Sequence, residues 1–328
     1  MASYNYEKHL KAAVESCLSQ THKNIELLIA DNSTDNSMKI LEEYKKDKRV
    51  KIYYRATPWR IAEKLNFLIS KVEGEYIKTC WSDDVMASDS IEKNLKFAKQ
   101  YGLDFVKSDY SYIDYDGKLI KKHHLRYVYK TNKNLIVKTD VNRIIKFGED
   151  CPPMIESITL FAKKEVIERV GGWDERFLLE DILFSYRTNC YDFKIGFLNE
   201  PLYYYRVFEK LNINPVYAQR AIEYFSMRIQ CMKIAIESGK LDKESIIIAK
   251  KRIAAYKAEI FQSKYKYLGL IWLFYKRYNP LLVKQVFRNK NVSSKRLLIY
   301  NCLLFVIRDI RKRIKLLVKG IRNPQTWY

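Results

Sequence analysis

Glycine and proline are scarce, with 10 and 7 in 328 residues, which excludes collagen-like repeats and linker-rich designs. Cysteine is sparse and scattered. The six, Cys17, Cys80, Cys151, Cys190, Cys231 and Cys302, contain no Cys-x-x-Cys pair. This argues against a zinc or disulfide framework and for reduced, mostly buried thiols in a cytosolic protein. The longest apolar run, 297–307, has 11 residues and is interrupted by Asn301, against roughly 20 needed to cross a bilayer. Met1 to Lys8 holds no apolar stretch that could serve as a signal peptide. Acid is in deficit, 38 Asp and Glu against 60 Lys and Arg, a net charge of +22. Such a surplus favours phosphate-bearing partners: nucleic acid, anionic lipid or nucleotide-linked substrates. The abundance of Lys, Ile, Asn and Tyr throughout leaves a purely compositional origin open. With 48% hydrophobic and 14% aromatic residues, wholesale disorder is excluded.

Familiar chemical motifs are also missing. There is no Gly-x-Gly-x-x-Gly, Gly-Lys-Ser/Thr, Gly-x-Ser-x-Gly or His-Glu-x-x-His. The four histidines are His9, His22, His123 and His124. Neighbours on a strand point to opposite faces, so His123 and His124 read as a solvated pair. Neither a Ser-His-Asp nor a Cys-His arrangement has local support.

What is present alternates between short apolar runs and helical patterns over the first 120 residues, the signature of βαβ units. Leu10, Ala13, Val14, Cys17 and Leu18 predict a helix over 7–20. Residues 25–30 read as a buried strand, followed by a polar loop and a helix through about Tyr44. Residues 50–54 form the next strand, 60–71 a helix, and 74–81 an extended element running into Ser82-Asp83-Asp84. A helix over 88–101 stops at Gly102, 104–108 is a short strand, and Asp116-Gly117 is a hairpin turn. Beyond about residue 210 the chain reads as helical, giving domains 1–210 and 211–328.

Carboxylates stand at strand ends. Asp31 follows one strand and Asp83-Asp84 another, and ligands of open α/β sheets bind beyond such ends. Acids there can hold a hard divalent cation and through it phosphates. A second reading stays open, in which Asp31 and Asp83 only cap the following helices. In Gly171-Gly172-Trp173-Asp174-Glu175, the glycines allow close backbone approach and Trp173 offers a flat apolar wall. Glu180-Asp181 then opens a helix-like segment where apolar neighbours can raise a carboxylate pKa, as a general base requires.

Together, Ser3-Tyr4-Asn5, the run from Leu18 to Ser37, Gly74-Glu75-Tyr76-Ile77 leading to Ser82-Asp83-Asp84, and Gly171-Gly172-Trp173-Asp174-Glu175 leading to Glu180-Asp181 resemble family 2 glycosyltransferases. The resemblance covers roughly residues 1–207. It implies the α/β GT-A fold, a Rossmann-like, mostly parallel sheet flanked by helices, here followed by a helical extension. It implies a nucleotide-sugar site with Asp31 on the base and Tyr4 and Asn66 beside it. Asp83 and Asp84 would hold Mg²⁺ or Mn²⁺ on the diphosphate. Asp181, supported by Glu180, would be the base of an inverting transfer.

Three departures accompany it. The family's first strand is missing, Met1-Ala2 standing where its end should be, so the expectation is a start further upstream. The first acid of the Asp-x-Asp motif is replaced by Trp81. Where relatives carry a His after Tyr-Arg, this chain has Tyr205-Arg206-Val207-Phe208, and Arg206 is expected to meet the diphosphate instead.

Residues 284–322 hold twelve basic residues against one acid, Asp309, which suits a basic amphipathic helix on an anionic membrane; a helix packed on the catalytic domain and a nucleic-acid patch are the other readings. The expected protein is a cytoplasmic transferase, peripheral at the inner membrane face. It would use a UDP- or dTDP-type donor and a glycan or lipid-linked acceptor in surface polysaccharide assembly, with the acceptor meeting 151–157. A non-catalytic relative and a polyprenyl-phosphate transferase are the alternatives.

Overall fold

The computed structural model describes residues 1–122, 131–148, 155, 157–177, 180–208 and 217–278. His123, His124, Cys151, Cys302, most of the 151–157 segment and the basic run 284–322 lie outside them. So does the Glu180 side chain.

The chain divides into two compact units, Met1–Leu211 with Met227–Ile253, and Asn212–Ser226 with Ala254–Tyr328. The first begins β1 (Ala2–Ser3), α1 (Glu7–Leu18), β2 (Leu27–Asp31), α2 (Ser37–Glu42), β3 (Val50–Tyr54), α3 (Ile61–Ile69) and β4 (Tyr76–Lys78). It continues β5 (Val85–Met86), α4 (Ser90–Tyr101), β6 (Phe105–Ile113), β7 (Leu119–Lys121), β8 (Leu135–Lys138) and α5 (Val141–Phe147). Then follow β9 (Leu160–Lys163), α6 (Lys164–Val170), α7 (Glu180–Thr188) and β10 (Lys194–Arg206). Two long helices, α8 (Tyr217–Glu237) and α9 (Lys243–Tyr278), contribute to both units. Within the second unit Phe225 stacks on Tyr256, ring centroids 5.8 Å apart.

Periodicity sets the helices where expected. α1 buries Leu10, Ala13, Val14 and Cys17, the stripe an amphipathic helix turns inward. α4 ends at Gly102, whose φ of 58° is the left-handed C-cap that glycine adopts without a Cβ penalty. The 116–117 turn joins β6 to β7, with Tyr112 opposite Lys121 and Ile113 opposite Leu119. None of the described helices is long and apolar enough to cross a membrane.

The α/β architecture is as expected, but the sheet is mixed. β1, β2 and β3 form a three-stranded parallel sheet. The second sheet has the order β4-β9-β6-β10-β5, with β7 on β6 and β8 on β10. There β6 and β10 are parallel while β4–β9, β9–β6, β10–β5 and β10–β8 run antiparallel. The expected mostly parallel order therefore holds only for the first sheet. β8, β9 and β10 pair across more than 50 residues of sequence, and local patterning carries no information on the direction of such pairs.

One core cluster joins Leu10, Val14, Leu27, Ile29 and Leu41 to Met86, Tyr110 and Tyr203. A second gathers Leu65, Ile77, Phe105, Ile167, Trp173 and Phe184. Each such side chain contributes about 1.5–3 kcal/mol by leaving water, so the two clusters fix how α1, α3 and α7 sit on the strands.

Candidate active site

Three neighbouring chain segments end at one level. Ser3 of β1 pairs in parallel with Asp31 of β2, and Ala2 pairs in parallel with Trp81, just beyond β4. β1 therefore carries Asp31 on one flank and Ser82-Asp83 on the other, about 10 Å apart at two strand spacings. The expected meeting of these acids at one sheet edge follows from that register.

On the β2 side Asp31 is fully buried. Its Oδ1 accepts from the Ser33 N–H (2.9 Å) and its Oδ2 from the Ser33 hydroxyl (2.7 Å). That hydroxyl also accepts from the Asn5 N–H, and Asn5 Oδ1 accepts from the Thr34 N–H, both at 2.8 Å. The loops after β1 and β2 are thus cross-braced, with Asn5 at a positive φ of 56°. Above them Tyr4 is 51% exposed, its ring 5.7 Å from Lys64 Nζ. Lys64 is 2% exposed and donates to the Ser3 carbonyl. Burial pushes its amine down to about 8, against the opposing pull of Asp31. Patterning did not single out Lys64. The signal was a charge on the buried face of α3, one helical turn before Leu68.

On the other flank Asp84 is buried. Its Oδ1 accepts from the Arg206 backbone N–H (2.7 Å). Its Oδ2 is buried and satisfied by no hydrogen bond of ordinary geometry, although Tyr203 lies beside it. Burial and the neighbouring Asp83 raise the Asp84 carboxyl to about 8. Asp83 is also raised, chiefly by burial, against a hydrogen bond from Tyr6 and the charge of Arg206. Burial and mutual repulsion disfavour two negative charges on this pair, and a bound cation would offset both. Tyr6 stacks on Phe208 at 5.8 Å, so the Phe found in place of a His borders the acid pair. Among the described residues no three His, Cys, Asp or Glu side chains form a metal cage. An orphaned buried oxygen and two carboxylates nevertheless fit Mg²⁺ or Mn²⁺, which commonly takes one or two protein carboxylates and completes its shell from substrate phosphates and water.

Two expected contacts are corrected. Arg206 is 5% exposed; its Nε donates to the Asp83 carbonyl (2.7 Å) and its Nη1 to those of Asp114 (2.9 Å) and Tyr115 (2.7 Å). A guanidinium committed to three carbonyls braces the acid loop and is not turned out toward a diphosphate. Trp173 is 2% exposed and stacks on Phe184 at 4.7 Å, so it is core and not a wall for a sugar. Trp81, in place of the first acid, is half-buried against both core clusters, with its backbone N–H donating to the Tyr203 hydroxyl.

Asn66 acts on the loop before α7. Its Nδ2 donates to the Trp173 carbonyl (2.8 Å) and to Glu175 Oε1 (2.9 Å), while its Oδ1 accepts from the Trp173 N–H (2.8 Å). Gly172, at φ +63°, lies so close that an added Cβ would stand 2.4 Å from Asn66 Oδ1. Asp174 is paired with Arg176 (2.6 Å) and Arg187 (3.6 Å), which hold its carboxyl below the usual range. Beyond this loop Asp181 sits partly buried in the first turn of α7, where the helix dipole favours a carboxylate. α7 is fixed by Phe184 on Trp173, and Trp173 by Asn66 of α3.

The chain is similar to known glycosyltransferases. The model of glycosyl transferase family 2 matches residues 1–151. The O-antigen biosynthesis glycosyltransferase WbnJ of Escherichia coli is 30% identical over 233 residues, 70% of this chain and 86% of that protein. An uncharacterized glycosyltransferase of Haemophilus influenzae is 41% identical over 123 residues, 37% of this chain. The chain spans about half the length of that relative, 49%. Among solved structures, S. aureus TarS 1-349 in complex with UDP-GlcNAc superposes with a TM-score of 0.61 at 16% identity, covering 92% of this chain and 78% of that one. At that identity the likeness speaks for the GT-A fold.

Proposed function

The chain belongs to glycosyl transferase family 2, and from that premise we propose that it moves a sugar, with inversion, from a UDP- or dTDP-type donor to a hydroxyl of a glycan or lipid-linked acceptor. The carrying observation is the register that sets Asp31 and Asp83 on the two flanks of β1. Tyr4, Lys64 and Asp31 form the half that would receive the nucleoside, while Asn66, on the same helix as Lys64, braces the loop before Asp181. Asp83 and Asp84 form the half that would face the diphosphate and hold Mg²⁺ or Mn²⁺, which when bound stabilises charge on the leaving group. Asp181 takes the proton from the acceptor hydroxyl as its oxygen bonds to the anomeric carbon and the bond to the diphosphate breaks. Glu180 supports Asp181 from the same helical turn. Surface polysaccharide assembly is the context that WbnJ's name supports.

We assign catalysis to residues 1–210 and membrane docking to the basic run 284–322 of the helical region 211–328. Pelleting of the protein with anionic vesicles at low salt tests the docking, and failure to pellet ends it.

Trp81 in place of an acid favours a second reading, a relative that binds the donor without turnover. Asp181→Asn separates the two. Unchanged donor binding with transfer lowered at least 10²-fold is expected for a lost general base. Equal transfer by variant and parent refutes the assignment of the base. Absence of transfer and of donor hydrolysis in the parent, at saturating Mn²⁺, supports the second reading.

A further inference from the structure

Two cysteines meet inside the first unit. Cys17 lies on the buried face of α1 and Cys80 just beyond β4. Both belong to one core cluster, and the Cys17 thiol donates a hydrogen bond to the Cys80 sulfur. Each sulfur is set by bonds of its chain neighbours. Around Cys17, the Ser16 hydroxyl accepts from the Met86 N–H (3.1 Å), Gln20 Nε2 donates to the Ala87 carbonyl (2.7 Å) and Gln20 Oε1 accepts from the Ile91 N–H (3.0 Å). Around Cys80, the Thr79 N–H donates to the Leu160 carbonyl (3.2 Å) and the Trp81 backbone N–H to the Tyr203 hydroxyl (3.1 Å). The contact is therefore held by both segments and is not a meeting of loose ends.

Their surroundings separate these thiols from the others among the described residues. Burial pushes the Cys231 thiol up to about 12 and also raises Cys190, which keeps both protonated and unreactive. Cys80 is instead held below the ordinary thiol range, chiefly by the Cys17 hydrogen bond, with the charge of Lys78 adding to it. Lys78 stands two residues before Cys80, on the same side of an extended chain, and its Nζ is buried without a hydrogen-bond partner. Cys17 is pushed up, so one sulfur is the nucleophile while the other keeps its proton. Cys17 is 4% and Cys80 7% exposed; a water-sized oxidant reaches such sulfurs where a bulky reagent does not.

We propose that Cys17 and Cys80 are an oxidation site, a dithiol at rest that hydrogen peroxide closes to a disulfide. The Cys80 thiolate attacks one peroxide oxygen and the O–O bond breaks, leaving a sulfenic acid on Cys80 and a hydroxide. The Cys17 sulfur then attacks the Cys80 sulfur, and the sulfenic hydroxyl leaves as water with the Cys17 proton. The proton that Cys80 had lost neutralises the hydroxide, so two thiols are oxidised while one peroxide is reduced to two waters. A thiol reductant reopens the bond by exchange. Closure shortens the sulfur contact to about 2 Å and links residue 17 to residue 80, tying α1 covalently to the run that leads into Asp83 and Asp84. The next residue, Trp81, holds the Tyr203 hydroxyl through its backbone N–H, and Tyr203 lies beside Asp84. The oxidation state of the pair is thereby connected to the acid loop.

The test treats the whole protein with hydrogen peroxide, blocks the remaining thiols in denaturant and maps the peptides by mass spectrometry. A cross-linked Cys17–Cys80 peptide that dithiothreitol abolishes is expected, with the Tm of the oxidised form raised by at least about 5 °C. Both thiols still free after peroxide overturn the proposal. So does a bond from either to another cysteine, or a Cys80 sulfinic acid with Cys17 left free. A mapped bond without a rise in Tm overturns the tie between α1 and the acid run. Cys17→Ser gives a second reading. Without its partner thiol the Cys80 sulfenic acid is expected to persist and to take up dimedone about tenfold more than in the parent; equal labelling overturns the assignment of Cys80 as the attacking sulfur. Peptide mapping of the parent needs no variant and decides the pairing even if the serine form does not fold.

Discussion

Gly172→Ala probes the connection between the two sides of the site. At φ +63° an alanine is strained by about 1–2 kcal/mol. Its Cβ would lie 2.4 Å from Asn66 Oδ1 and 3.3 Å from Asn66 Cγ, so Asn66 must swing away. The swing releases both bonds to the Trp173 backbone, each worth about 1 kcal/mol net. The sum is about 3–4 kcal/mol, or a fall in Tm of about 10 °C for a unit of this size. Asn66→Ala loses the same two bonds without strain, about 2 kcal/mol. In the double variant the clash has no partner, so the glycine substitution costs only its backbone strain. A double-mutant cycle by urea unfolding is therefore expected to return a coupling of about 2 kcal/mol. Strict additivity would refute the clamp, because Gly172 and Asn66 would then act independently.

Other substitutions separate packing from contact with substrate. Trp173→Ala is expected to cost about 3–5 kcal/mol by calorimetry; a normal Tm with a raised KM for donor would return Trp173 to the substrate wall. Lys64→Met leaves the buried Asp31 without its nearby cation, and is expected to raise the donor KM at least tenfold, measured by initial rates; an unchanged KM removes Lys64 from the nucleoside half. Asp84 sets a pH dependence. Its folded value of about 8 lies above the ordinary 3.8, so the native state binds more protons between those limits and this group's contribution to stability falls as pH rises from 4 to 8. In chelator, Asp84→Asn should flatten that fall relative to the parent in urea titrations at pH 5, 7 and 8.5, and identical slopes would contradict the burial of the acid.

Elements written in local pattern were legible. The strand at 50–54 and the helix stopping at Gly102 stand where the apolar spacing and the cap residue put them. Strand direction was not, because pairing β4 with β9 joins residues 76–78 to 161–163, and no local signal records which way so distant a run approaches. The strand expected over 104–108 extends to Ile113 for the same reason: eight residues of β10 pair alongside β6 and carry it past the point where its own pattern weakens.

The acids were legible for a topological reason. Parallel strands with helical crossovers all end on one side, so a carboxylate after each strand reaches a common edge whatever packs elsewhere. The roles of Trp173, Arg206 and Asn66 were not legible, since an indole, a guanidinium or an amide serves equally well facing a ligand, the core or a backbone. Packing decides, and here it decides for the backbone. Arg206 ties the Asp83 loop to Asp114 and Tyr115, and Asn66 ties α3 to the loop before Asp181. The orientation of the acids therefore depends on side chains that donate to carbonyls and need never touch a donor sugar. Losses at Asn66 should consequently appear first as lowered stability and a slower transfer step, with donor affinity following only when the loop itself gives way.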